Sequence, residues 1–326
     1  MLRLEHLSKT FRSQWLYRPI EALKDVNLDI AKGEAFGFLG HNGAGKTTAI
    51  KCIMGLINIT SGKVYLEDRE LVSAEQHREV SYLPELPYFY DHLSVKETLA
   101  FFASLHDIKN PERTKRVNEV LEKVGLSNRS NNRVRSLSKG LQQRLGIAQA
   151  IINRPRLLIL DEPFSGLDPI GRLEIREIIL ELKNLGTTIF LSSHILSDVE
   201  DICDRVSIMS HGVLQQVFKL SDMPSLFGEE YLLIVEELPS DSEIYRSLAT
   251  NSKKVDTVIH ANSAATSFHV KDYDTASLAL VLAQKANVKI LEFRLMRPRL
   301  EDIFMQITGQ RYTSNYSSPE KAKGTR

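Results

Sequence analysis

The sequence predicts an α/β fold built on a parallel sheet, followed by a smaller α+β unit. Three observations carry that reading. Short apolar runs alternate with helical patterns, so strands and helices succeed one another. The run from Arg156 to Leu160 reads as a fully apolar strand, which suits the buried centre of a parallel sheet. The glycine-rich stretch Gly40 to Thr47 stands between a strand and a helix.

Spacing and turn residues justify each element along the chain. Leu2 and Leu4, then Val26, Leu28 and Ile30, alternate apolar with polar and read as two strands. Lys32-Gly33 is a turn signal; Ala35 to Leu39 is a short apolar strand running into GHNGAGKTT and a helix from about Thr47 to Leu56. After the turn residues Thr60-Ser61-Gly62, a strand spans Gly62 to Leu66. Residues 94 to about 150 carry helical spacing. Ser94 to Glu97 forms a capping box, and Val117, Val120, Leu121 and Val124 repeat at helical intervals until Gly125. A helix at about 170–184, a strand from Thr187 to Ser192, a helix at about 195–202 and a strand from Arg205 to Met209 follow. Near Leu220 the pattern changes. Tyr231 to Val235 and Ser267 to Val270 read as antiparallel strands, residues 276–286 as a helix, and Val288 to Leu295 as a strand. From Arg311 the tail RYTSNYSSPEKAKGTR is polar and is expected to be disordered.

Composition bounds the function. A chain of 326 residues is long enough for about two domains with their own cores. Apolar residues make up 42% and charged residues 25%, which excludes a disordered or fibrous chain. Lys+Arg 42 against Asp+Glu 41 leaves a net charge of +1, so no nucleic-acid partner is expected. Cys52 and Cys203 lack metal-ligand spacing and are too few for a disulfide framework, which fits a reducing cytosol. Apolar runs such as Leu157 to Leu160 fall far short of the ~20 residues that cross a bilayer. The start, MLRLEHLSKTFR, lacks the apolar stretch of a secretory signal. Any membrane role is therefore expected to run through a partner.

Gly40-His41-Asn42-Gly43-Ala44-Gly45-Lys46-Thr47 matches G-x-x-x-x-G-K-[ST] in full and in the right context, with Thr48 beside it. Glycines let the backbone bend around an anion, and a helix N-terminus presents free N–H groups to it. Lys46 supplies a cation for the β- and γ-phosphates, and the Thr47 hydroxyl is a ligand for Mg²⁺. Leu157 to Glu162 is an apolar strand ending in two acids, which places them at the sheet edge where α/β ligands sit. Asp161 is expected to hold Mg²⁺ directly or through water. Glu162, turned the other way by strand alternation, is expected to polarise an attacking water.

With these residues in place, the sequence resembles the ATP-binding cassette ATPases through about residues 1–215. Ser165-Gly166-Leu167-Asp168 is similar to the family's D-loop, and His194 in Ser192-Ser193-His194 to its switch histidine. Leu137-Ser138-Lys139-Gly140-Leu141-Gln142-Gln143-Arg144 resembles the signature LSGGQ, with Ser138 as an N-cap. The resemblance implies a P-loop NTPase fold: a RecA-like parallel sheet, an inserted helical subdomain (about 86–153) and an antiparallel β subdomain. The expected domains are 1–218, a small C-terminal α+β domain at 219–310 and a tail at 311–326. It also implies that Leu137, Ser138, Gly140 and Asp168 complete the ATP site of an opposite subunit in a homodimer. Glu162, His194 and Lys46 would be catalytic, with ATP and Mg²⁺ as cofactors.

The chain departs from the family at Lys139 and Leu141 in the signature, and at Glu85 in Val80-Ser81-Tyr82-Leu83-Pro84-Glu85, where the family usually has glutamine. Glu85 is read as a Mg²⁺ ligand. Phe11 best matches the adenine-stacking aromatic, with Trp15 and Tyr17 of the insertion-like stretch Ser13 to Pro19 as alternatives. Arg297 to Phe304 with Thr308-Gly309 is similar to the closing "PSLEDVF…TG" of the drug-, sodium- and polysaccharide-export branch. Residues 84–105 resemble the region where transmembrane partners dock.

The resemblance implies the ATPase subunit of an exporter, at the inner face of the membrane through a separate permease. A soluble, non-transport cassette ATPase typically has two cassettes or a long coiled coil, neither of which is present. A GTPase would need an N-K-x-D motif. A binding module with little hydrolysis would not need Lys46, Asp161, Glu162 and His194 together.

Overall fold

In the computed structural model, which describes residues 1–12, 19–72, 76–228, 230–261, 263–296 and 298–309, the chain folds as two units, Met1–Leu220 and a second beginning at Ser221. The first unit contains β1 (Leu2–Phe11), β2 (Ile20–Ile30), β3 (Ala35–Leu39), α1 (Lys46–Ile53), β4 (Ser61–Leu66), β5 (Arg69–Glu70) and β6 (Val80–Leu83). It continues through α2 (Val95–Leu105), α3 (Glu112–Lys123), α4 (Lys139–Ile151), β7 (Leu157–Asp161) and α5 (Pro169–Asn184). β8 (Thr188–Ser193), α6 (Leu196–Ile202), β9 (Arg205–Ser210) and β10 (Val213–Lys219) complete it.

The main sheet runs β10-β9-β3-β8-β7-β6; all its strands are parallel except the edge strand β10. β3, β7 and β8 are buried at every position, their apolar centres lying in the middle of the sheet and the polar ends of β7 and β8 at Asp161, Ser192 and Ser193. Phe38 packs against Phe190 at 5.2 Å between ring centroids, and each such fully buried side chain contributes about 1.5–3 kcal/mol. Because β3, β7 and β8 run the same way, their carboxyl ends share one edge, followed by the glycine-rich loop, by Glu162 and by His194 respectively. A second sheet, β2-β1-β4-β5, is antiparallel and buries Leu2, Leu4, Val26, Leu28 and Ile30 on one face. α2, α3 and α4 pack on one another. The capping box forms as expected: Glu97 N donates to Ser94 Oγ at 3.2 Å and Ser94 N to Glu97 Oε2 at 2.8 Å. Arg116 is buried, and its Nε donates to the Ile152 carbonyl at 2.9 Å, satisfying the end of α4.

The second unit comprises α7 (Met223–Phe227), β11 (Glu230–Glu236), α8 (Glu243–Thr250), β12 (Ser252–His260), β13 (Ser263–Val270), α9 (Tyr273–Lys285), β14 (Ile290–Met296) and α10 (Leu300–Thr308). Its sheet, β12-β13-β11-β14, is antiparallel throughout. The order β11-α8-β12-β13-α9-β14 is a split β-α-β arrangement. Leu233, Val235, Leu248, Phe268, Val270, Ala276, Ala279 and Ala283 form the core.

Several boundaries differ from expectation. α1 stops at Ile53, three residues early, and the helical stretch of 94–150 is three helices, the last two joined through two 3₁₀ turns. β10, β12 and α8 were not anticipated; the strands lie at sheet edges and expose many of their residues, which blurs their alternation. Trp15, Tyr17 and the tail from 311 lie outside the described residues.

Candidate active site

β3 ends at Leu39 and the chain wraps through Gly40–Gly45 into α1. Gly45, the residue before the helix, takes φ 110°, a backbone angle that a side chain would resist. No side chain caps α1, so its first N–H groups remain available to an anion. Lys46 folds back over the loop. Its Nζ donates to the Gly40 carbonyl at 2.6 Å and lies 3.3 Å from Glu162 Oε1, and the side chain is only 6% exposed. The ammonium is thus held by loop carbonyls and a carboxylate, in the space that phosphate oxygens would contest.

Asp161 ends β7, 2% exposed. Ser192 Oγ on the neighbouring β8 donates to Asp161 Oδ1 at 2.5 Å, Thr47 Oγ1 to the same oxygen at 3.5 Å, and Tyr82 Oη to Oδ2 at 3.4 Å. Burial pushes the Asp161 carboxyl up, and the hydrogen bonds from Ser192 and Thr47 offset part of that. The Tyr82 phenol is also pushed up, by burial first and then by the charge of Asp161.

Glu162 lies one residue beyond the strand at φ 50°, so strand alternation does not orient it, contrary to expectation. A left-handed turn does, held by Glu162 N donating to the Ser192 carbonyl at 3.0 Å. Its Oε2 accepts from His194 N at 3.2 Å and lies 2.6 Å from His194 Nδ1. Its buried Oε1 has no aligned hydrogen-bond donor, Lys46 being an ion-pair neighbour only. Burial works to raise the Glu162 carboxyl, but the His194 hydrogen bond and the Lys46 charge outweigh it and hold it below the usual range. The same hydrogen bond raises His194 above its ordinary value, against the effect of burial. Both groups are therefore biased toward their charged forms.

A cavity of about 660 Å³ opens over these groups. His41, Asn42, Gly43, Gly45, Lys46, Thr47, Thr48, Glu85, Glu162 and His194 line it. Gly40, Ala44 and Asp161 stand behind that wall, Gly40 offering its carbonyl to Lys46 and Asp161 meeting Thr47. The structure does not bring Phe11 there. Phe11 pairs with Ile20 at the open end of β1, where Lys9 Nζ lies 4.9 Å from its ring, and Ile20 and Ala22 of β2 line the cavity instead. Glu85 lines the cavity, and its Oε1 accepts from Ser165 Oγ at 3.0 Å. Leu137, Ser138, Gly140 and Asp168 lie outside that lining; Ser138 Oγ accepts from Leu141 N at 3.5 Å, and Asp168 Oδ1 caps α5 through Gly171 N at 3.0 Å. Sequence reasoning missed Ser192 and Tyr82 as partners of Asp161. It also missed Lys24 and His211, which reach the cavity from β2 and the β9–β10 turn. Ser192 stood in the Ser-Ser-His run, where a hydroxyl at a strand end was the available signal.

Among the described residues, no group of three or more His, Cys, Asp or Glu side chains is arranged to hold a metal. The Thr47 hydroxyl beside the Asp161 carboxylate fits Mg²⁺, an ion that takes one or two protein oxygens and completes its shell with phosphates and water.

The chain is similar to known proteins over most of its length. The pattern of the family described as ABC transporter matches residues 23–165. An uncharacterized ABC transporter ATP-binding protein of Synechocystis is 39% identical, over 92% of this chain and 82% of its own length. The lantibiotic transport ATP-binding protein SrtF of Streptococcus pyogenes is 37% identical, over 71% of this chain and 98% of its own. Among solved structures, the dimeric post-hydrolysis state of the ATP-binding cassette MJ0796 bound to ADP and Pi aligns with TM-score 0.62 and 25% identity. That alignment covers 68% of this chain and 99% of the cassette. Identical to the Synechocystis protein at 39% of positions over 92% of its length, and carrying the family pattern at residues 23–165, the chain belongs to the ABC transporter ATP-binding protein family.

Proposed function

We propose that the chain hydrolyses Mg·ATP as a homodimer and drives a separate transmembrane permease, acting as an exporter. One observation carries the hydrolytic part: the Lys46 ammonium and His194 both meet Glu162, whose Oε1 is a buried acceptor without an aligned donor. When ATP enters, phosphate oxygens compete with the Gly40 carbonyl and Glu162 for Lys46, and the α1 amides take the remaining charge. Thr47 and Asp161 would hold Mg²⁺, which when bound neutralises phosphate charge. Glu162, held below the usual carboxylate range, orients a water for in-line attack, while His194 holds its other carboxylate oxygen beside the transferring phosphoryl group. Leu137, Ser138, Gly140 and Asp168 are assigned to the partner's nucleotide, because they lie outside the lining of this chain's own cavity.

Support for a permease partner comes from three sides. No helix among the described residues is long and apolar enough to cross a membrane. Leu86, Tyr88 and Tyr90 are 71%, 89% and 53% exposed beside the Glu85 segment, an apolar patch suited to a docking helix. The printed name of SrtF couples a similar chain to lantibiotic transport. Equilibrium ATP binding and single-turnover hydrolysis test the reading. Lys46→Ala is expected to weaken ATP binding about 30- to 150-fold, the equivalent of ~2–3 kcal/mol for charge-assisted hydrogen bonds. Glu162→Gln should keep binding and lose about 10²–10⁴ in turnover. Wild-type turnover in Glu162→Gln would end the assignment of the base.

A further inference from the structure

Glu85 and Lys139 depart from the family's pattern in different segments, yet they meet adjacent residues of one turn, Ser165 and Gly166. Ser165 Oγ donates to Glu85 Oε1 at 3.0 Å. The Lys139 side chain lies across Gly166: a Cβ on that glycine would collide with the ammonium and stand 3.1 Å from Cε. Gly166 takes φ 66°, so this is a tight left-handed turn as well as a crowded one. The turn is tied to the carboxylate that precedes it, since Ser165 N donates to the Glu162 carbonyl at 3.0 Å. Glu162 is itself a left-handed residue fixed on its other side by Ser192, so its carboxylate direction depends on where this turn sits.

We propose that Glu85 and Lys139 are positioning residues that clamp the Ser165–Gly166 turn from two sides and through it aim Glu162. Glu85 then acts by its acceptor oxygen on Ser165. Lys139 acts by lying on Gly166, which accounts for a long side chain where the signature usually has a glycine. The inference rests on Glu162 as the group that orients water.

The test is steady-state ATP hydrolysis by the full chain across a Mg²⁺ titration, with ATP affinity measured separately for every variant. Glu85→Ala and Lys139→Ala should each lower kcat about 10-fold, short of the ~100-fold that a full ångström of misplacement costs. KM for ATP and the Mg²⁺ half-saturation point should stay at wild-type values. The double variant should fall no further than the slower single one, because either loss frees the same turn. Ser165→Ala should reproduce Glu85→Ala and make it silent in that background. Glu85→Gln, which keeps an acceptor oxygen, should recover most of the rate lost in Glu85→Ala. Unchanged kcat in either single variant, multiplicative losses in the double, or a displaced Mg²⁺ requirement in Glu85→Ala would each overturn the clamp. A wild-type chain that binds ATP but never turns it over would remove the underlying reading as well.

Discussion

Glu162 and His194 tie their protonation states to one another, and that has a measurable consequence at the scale of single residues. The Glu162 carboxyl is held low, so its contribution to stability is present above the ordinary glutamate value of about 4.3 and is lost as pH falls through the lowered one. His194 is held high, so its contribution is present below the ordinary histidine value of about 6.5 and is lost as pH rises through the raised one. The charged pair is therefore complete between about pH 4.3 and 6.5. Thermal melts of wild type and His194→Ala should differ most at about pH 5–6 and converge as pH rises through the raised histidine value. A gap of constant size across that range would show that the charge on His194 contributes nothing. Lys46, Thr47, Asp161, Glu162 and His194 were legible as residues because local spacing marks them. Ser192 and Tyr82 were not, because a hydroxyl on a neighbouring strand acquires its role only through the register Asp161↔Ser192.

At the scale of elements, two helix N-termini do different work. α1 begins without a side-chain cap, which suits a helix that offers its amides to phosphate. α4 begins with Ser138, whose hydroxyl caps Leu141 N from an exposed position. On the dimer reading that end serves the neighbour's nucleotide. Ser138→Arg is accordingly expected to abolish turnover while ATP affinity of the isolated chain, measured by equilibrium titration, stays within about threefold, well under the 1.4 kcal/mol that a tenfold change represents. Loss of ATP binding in the monomeric variant would contradict an action across an interface. The strand-loop-helix unit β3–α1 was readable in advance, since a fully buried strand and a glycine-rich turn both leave strong marks. β10 and β12 were not, because an edge strand with many exposed residues carries no clear alternation.

The whole molecule combines a cassette and a split β-α-β unit, and its near-zero charge of +1 imposes little long-range repulsion between copies. If each nucleotide is completed by two chains, specific ATPase activity should decline on dilution as the dimer dissociates. Glu162→Gln with ATP should run as a dimer in size-exclusion chromatography at concentrations where the nucleotide-free chain runs as a monomer. Specific activity independent of concentration down to the most dilute measurable sample would contradict a composite site.

The sequence by itself determined the central strands, the phosphate loop and the acid pair that follows a buried strand, because those features depend on contiguous residues and on local backbone rules. It also carried the motifs by which family membership could be expected. Tertiary structure alone decided how the lateral order β3-β8-β7 sets Ser192 between the loop and Asp161, why Glu162 turns on a left-handed residue rather than on strand alternation, and that Ile20, the strand partner of Phe11, lines the cavity while Phe11 does not. The physical reason is that a side chain's neighbours across a sheet are set by strand order and register, which bring Thr47 on the helix after β3 to Asp161 at the end of β7, 114 residues further along the chain.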